Sequence, residues 1–231
     1  MRTQLTTTTK LPVDRLTKKE IVWLAKHQCK HKHNYLSHYG CFHPPIAPER
    51  IGFFDIETSN LDANFGIMLS YAILDGTDGT ITGSVISAGD IAKAKPGQED
   101  RRITQLCIAD LQRFDRIVGY YSKRFDVPYV RTRALIDHLP FPAWGSIIHT
   151  DLYDVIKRKF KLHSNRLENA CRVLLGTTNK THIDTTFWRG GVRGDSKSLK
   201  YIWDHNTADV VDLKALYDKT IEFVNLTDSK A

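Results

Sequence analysis

The chain has 231 residues, 41% of them hydrophobic, with 33 Lys/Arg against 26 Asp/Glu and a formal charge of +7. That length and balance suit one substantial domain with a small appendage, and exclude a chain disordered throughout. The opening MRTQLTTTTK has no apolar stretch after its charge, no run is long enough to span a bilayer, and four cysteines are sparse. The expectation is an intracellular, cytoplasmic protein with no membrane partner.

Residues 1–16 read as a flexible, Thr-rich tail, and residues 17–48 as a basic Cys/His-rich segment. Within it, 17–27 carries Ile21, Leu24 and Ala25 at the spacing of a short amphipathic helix. HQCKHKHNYLSHYGCFH (27–43) then holds two cysteines and five histidines. Zinc takes four ligands in a tetrahedron, often as two close pairs. Cys29 with His33, and His38 with Cys41, supply such pairs, and His27, His31 and His43 are spare ligands. The spacing fits no standard finger, so a metal-free, His-rich arm stands beside the zinc knuckle as an equal reading. The first 50 residues hold nine Lys/Arg against three Asp/Glu and half of the ten histidines, whereas the remainder holds 24 against 23. A basic appendage on a near-neutral body points to an anionic partner, foremost a nucleic-acid backbone, with a solvated tail as the plainer alternative.

Residues 49–226 read as the main domain. IGFFDIET (51–58) is a strand, GIMLSYAILDG (66–76) a second, and ITGSVIS (81–87) a third after the turn DGTDG (75–79), which is the pattern of an antiparallel meander. Residues 99–113 have helical spacing and RIVGYYS (116–122) is a buried strand. Residues 127–139 form a helix with Pro128 in its first turn. GSIIHTD (145–151) is a fifth strand, leading into a helix LYDVIKRKF capped by Asp151. Asn165 and Glu168 have capping-box spacing in a helix over 165–175, and a last helix spans about 206–224. Hairpin strands followed by strand–helix alternation give an α/β fold: a mixed five-stranded sheet flanked by helices.

Asp55 and Glu57 stand two apart on the first strand, hence on one face. Two acids beside an apolar core repel unless a cation compensates them, and a hard divalent metal is the simplest such cation. Asp126 sits where a buried strand turns into a helix, whose N-terminus favours the ionised carboxylate; a plain cap is its alternative role. His205 and Asp209, four apart, share a helical face, so Asp209 can bind metal while His205 removes a proton from water. Asp151, Asp154, Asp184, Asp195, Asp204 and Asp212 read as caps, turns or exposed faces, with Asp151 and Asp184 the two to watch. Lys157, Arg158, Lys159, Lys161 and Arg166 are candidates to track phosphates, or form a solvated face.

In this order, D-x-E on the first strand, F-D after G-Y-x-S, and H-x-x-x-D on a late helix, the chain resembles the DEDD 3′–5′ exonucleases of the RNase H-like superfamily over about residues 50–225. A histidine at three-residue spacing, in H-N-x-x-D-V, is similar to the stand-alone YprB-like nucleases. The resemblance implies an RNase H-like fold, four metal-binding acids (Asp55, Glu57, Asp126, Asp209), His205 as general base with Tyr201 as a weaker substitute, and hydrolysis with two Mg²⁺ or Mn²⁺ ions, Asp55 bridging them. The expected substrate is DNA or RNA, at single-stranded ends. Thr58 is expected to contact the terminal nucleotide, Phe65 to stack on the last base, Met68 to do so or pack in the core, and Asn165 and Arg166 to meet the phosphates. With no polymerase body in the chain, a polymerase or repair partner is implied for proofreading. A structure-selective endonuclease and a non-catalytic nucleic-acid-binding protein remain the alternatives.

Overall fold

The structure, a computed structural model, describes residues 18–28, 32, 34, 49–143, 145–179 and 184–223. The chain divides into two compact units, Met1–Pro48 and Glu49–Ala231. In the first, helix α1 spans Lys18–Lys26, and Trp23 stacks on His27 with ring centroids 4.3 Å apart. Cys29, His33, His38 and Cys41, like His31 and His43, lie outside the described residues. No described helix is long and apolar enough to cross a membrane.

The second unit is built on a five-stranded sheet of order β3-β2-β1-β4-β5: β1 is Ile51–Thr58, β2 Met68–Asp75, β3 Ile81–Val85, β4 Arg116–Gly119 and β5 Ile148–Asp151. β1 pairs antiparallel with β2 and β2 with β3, the meander expected, with a longer loop over 59–67 and a short turn over 76–80. β1–β4 and β4–β5 are parallel, which requires crossovers. Helices α2 (Ala88–Lys93) and α3 (Arg101–Leu111) lie between β3 and β4, and α4 (Asp126–Ile136) between β4 and β5; α5 (Leu152–Lys159), α6 (Leu167–Leu174), α7 (Thr185–Val192) and α8 (Ser196–Thr220) follow β5.

The alternation along β1 divides the core. Phe54 and Ile56 pack into a cluster with Ile103, Cys107 and Ile108 of α3 and Val127 and Val130 of α4. Phe53 enters the opposite cluster with Val155 and Ile156 of α5, Ala170 of α6 and Val210, Leu213 and Leu216 of α8. Asp55 and Glu57 share the parity of Phe53, so they belong to the face that α8 covers. That face carries small residues under the helix: Ser70 opposite Glu57, Ala72 opposite Asp55, and Gly83 opposite Ala72. A Cβ on Gly83 would come within 2.8 Å of the Trp203 ring and closer still to the Tyr71 carbonyl. The absent side chains let α8 settle close to β1 and β2.

Several expectations change. The last helix begins at Ser196, ten residues before the expected start, capped by Asp195, which accepts from the Ser198 N–H. Its first turns looked polar because Lys197, Lys200 and Asp204 are on the open side while Leu199 and Ile202 are buried. Helix α7 was not anticipated, since Gly190 and Gly191 argue against a helix. Here a Cβ on Gly191 would meet Ile202 at 2.6 Å, so the glycine serves close α7–α8 packing. Helix α6 starts at Leu167 without the Asn165–Glu168 capping box; Glu168 instead pairs with Arg172 at 2.7 Å. Strand β4 stops at Gly119 rather than 122, because Tyr121 takes a left-handed φ of 65°.

Candidate active site

β1 and β4 run side by side only from Ile51 to Phe53. Beyond that point β1 continues while the chain after β4 turns away toward α4, so the two parallel strands part at their carboxyl ends, the usual ligand position in open α/β sheets. Asp126, the first residue of α4, closes the gap: the Ile56 N–H donates to its Oδ1 at 3.1 Å. Its side chain therefore does not cap its own helix but satisfies a strand amide left without a neighbour.

The helix N-terminus was expected to keep Asp126 ionised, and here the balance falls the other way. Burial, reinforced by the charges of Asp151 and Asp209, pushes its carboxyl up to about 7, against the opposing pull of the Ile56 amide and its own. Three acids brought together in a buried setting repel one another, an arrangement whose charge a cation would compensate.

α8 supplies the other wall. His205 (1% exposed) and Asp209 (5%) face inward one turn apart. A ring nitrogen of His205 and carboxylate oxygens of Glu57 and Asp209 all lie within 4.8 Å of one another, with His205 Nε2 at 3.7 Å from Glu57 Oε1. Trp188 of α7 meets the His205 ring edge-on, centroids 5.7 Å apart. Asp55 is held differently. Asn206 Nδ2 donates to its Oδ2 at 2.7 Å, while Asn206 Oδ1 accepts from Ser70 Oγ at 3.0 Å. Buried, and bonded at both ends of its amide, Asn206 fixes the Asp55 carboxylate. Oxygen-rich, anionic and walled by core, this donor set suits hard divalent cations such as Mg²⁺ or Mn²⁺.

Sequence reasoning missed Asn206, although it sits between His205 and Asp209 in the quoted H-N-x-x-D pattern. It also undervalued Asp151, which caps α5 through the Tyr153 N–H (3.1 Å) as expected but also accepts from the Tyr121 (2.8 Å) and Lys123 (3.1 Å) N–H groups. Asp151 thereby shapes the turn that delivers Asp126. Asp212, read as a cap or exposed acid, is buried and accepts from Thr178 Oγ1 and Asn179, tying that loop to α8. Asp184 caps α7, Asp154 pairs with Arg124, and Asp204 pairs with Lys200 on the open side. Tyr201 stacks on Phe187, centroids 4.1 Å apart. Among the expected substrate contacts, Thr58 Oγ1 donates to the Asn60 carbonyl and Phe65 is 79% exposed, whereas Met68 is wholly core. The Asn165 carbonyl accepts from the Tyr120 hydroxyl at 2.6 Å, and Arg166 is exposed at the start of α6.

A sequence profile of the RNase H superfamily matches residues 52–221. The chain is similar in structure to a family B DNA polymerase from the hyperthermophilic archaeon Pyrobaculum calidifontis, with a TM-score of 0.61 and 20% identity. That similarity covers 76% of this chain and 25% of the polymerase chain, so this protein corresponds to about a quarter of the polymerase. Among curated proteins, none matches.

Proposed function

We propose that this chain, which belongs to the RNase H superfamily, is a divalent-metal-dependent 3′–5′ exonuclease of the DEDD type, YprB-like in its base position, acting on single-stranded ends of DNA or RNA. The observation that carries the reading is the convergence of Glu57, His205 and Asp209 from β1 and α8, with donor atoms within 4.8 Å, beside Asp55 on the same strand face and Asp126 at the start of α4. The polarity and the preference for ends rest on the order of motifs, D-x-E, F-D and H-x-x-x-D. The DNA polymerase with the similar fold supports DNA as one substrate and a replication or repair setting, with polymerase as a partner.

In this reading Asp55, Glu57, Asp126 and Asp209 would hold two cations, Mg²⁺ or Mn²⁺. When bound, the ions lower the pKa of water and offset the charge that builds on the phosphate. His205 takes the proton of the attacking water at its ring nitrogen, and the Glu57 carboxylate, 3.7 Å from Nε2, stabilises the resulting imidazolium. Trp188 against the ring and Asn206 on Asp55 keep both groups in place, which matters because a small misplacement costs orders of magnitude in rate. Burial of His205 limits competing solvent at the base.

End-labelled single-stranded DNA and RNA, incubated with Mg²⁺ or Mn²⁺, test this directly. The wild type should shorten the strand from its 3′ end, one nucleotide at a time, while Asp55→Ala and Asp209→Ala lose activity by at least about a thousandfold. Internal cuts would instead assign an endonuclease, and equal cleavage by all three proteins would overturn the catalytic assignment.

A further inference from the structure

The turn between β4 and Asp126 carries an aromatic and cationic surface that the cleavage site does not use. Tyr121 is 45% exposed and holds a left-handed φ of 65°, a conformation that a bulky residue adopts at a cost of about 1–2 kcal/mol. The Asp151 carboxylate holds it there through the Tyr121 N–H. The ring meets Tyr153 edge-on at 5.0 Å, and the Arg124 guanidinium covers Tyr121 at 5.4 Å and Tyr153 at 5.9 Å. Asp154, 2.8 Å from Arg124, holds that guanidinium in place. The Lys157 ammonium lies 5.8 Å from the Tyr153 ring. Beside this group opens a cavity of about 200 Å³ whose lining includes Lys123, Arg158 and Lys159 together with Asp151 and Phe223. In a body whose charges nearly cancel, these cations are concentrated on one turn and one helix end.

An exposed ring, Tyr121, backed by the half-buried Tyr153 and set among cations, suits a single strand of nucleic acid: stacking for a base, and positive charge for its phosphates. A double helix offers no unstacked base to such a surface. Asp126, which ends the same turn, belongs to the proposed cleavage site, so a strand lying here is held beside it. Resting on the exonuclease reading, we propose that Tyr121, with Tyr153 and Arg124, is the stacking platform for the unpaired strand entering the site, and that Lys123, Arg158 and Lys159 hold a phosphate at the adjoining cavity.

Photocrosslinking and binding on the full chain test this. A deoxythymidine decamer containing 5-iododeoxyuridine is irradiated with the Asp55→Asn protein, and adducts are mapped by mass spectrometry. Adducts on Tyr121 or Tyr153 are expected. Fluorescence anisotropy with the same decamer should show Tyr121→Asn binding about tenfold more weakly. Asn is chosen because it tolerates the left-handed backbone, so its thermal midpoint should not fall. Arg158→Gln with Lys159→Gln should flatten the salt dependence of log K by roughly 0.7 in slope, the value of one phosphate contact on a single strand. Adducts confined to residues 1–50, with Tyr121→Asn binding unchanged, would overturn the platform. Adducts at Tyr121 from a wild type that cleaves nothing would instead retain the platform and remove the exonuclease reading.

Discussion

Two buried aspartates flank the same helix, and their surroundings differ in the sign of the neighbouring charge. Asp100, fully buried ahead of α3, accepts from the Met68 N–H at 2.7 Å and from Arg133 Nε at 2.9 Å. Arg133, from the last turn of α4, extends further to the Gly97 and Ala63 carbonyls. Burial raises the Asp100 carboxyl and the guanidinium opposes it. Asp126 at the other end of α4 meets the charges of Asp151 and Asp209, which add to the effect of burial. The fold sets a guanidinium against one carboxylate and further carboxylates against the other. A buried carboxylate is thus informative about function only when its neighbours are read with it.

If that contrast holds, each end of α4 responds differently to mutation. The largest effect is at the structural end. Arg133→Ala leaves the Asp100 charge without its partner and two carbonyls without their donor, so it should cost about 3–5 kcal/mol in urea unfolding. The double variant Arg133→Met, Asp100→Leu should recover part of that loss, since a buried pair can be replaced by apolar packing more cheaply than it can be broken.

At the other end the sign reverses. The Asp126 carboxyl rises from 3.8 to about 7 on folding, so the stability it contributes is full below pH 4 and is lost as pH rises through 7. Asp126→Asn keeps the acceptor for the Ile56 N–H and removes the charge. In EDTA at pH 8 it should therefore be more stable than wild type by on the order of 2–4 kcal/mol, a difference that disappears toward pH 4. Added Mg²⁺ should raise the melting temperature of the wild type and leave that of the variant nearly unchanged. A variant less stable than wild type at pH 8 would break the contrast. Asn206→Ala, which removes the amide joining Asp55 to Ser70, should cost about 1–3 kcal/mol in stability and at least tenfold in cleavage rate.

The strands and most helices were legible from alternation, helical spacing and turn residues, because those signals are local. Helix α8 lost its first ten residues to reading because its charged side conceals Leu199 and Ile202 as core positions. Helix α7 was hidden by glycines whose purpose is contact with another helix. The same divide runs through the site. Glu57, His205 and Asp209, which the structure brings together, were named from two short patterns, each within one element. Asn206 and the double role of Asp151 were not, since an amide bridging a strand to a distant helix, or a carboxylate gathering amides from two segments, has no signature along the chain. Nor could sequence weigh the burial that overrides the helix N-terminus at Asp126.

The central claim is that the acids of β1, α4 and α8 form a divalent-cation site. Mn²⁺ titration followed by electron paramagnetic resonance measures it without requiring turnover. The account predicts saturable Mn²⁺ binding by the wild type at pH 8, weaker binding at pH 6 as Asp126 takes up a proton, and loss of binding in Asp209→Asn. Binding of equal strength and stoichiometry in Asp209→Asn would contradict it.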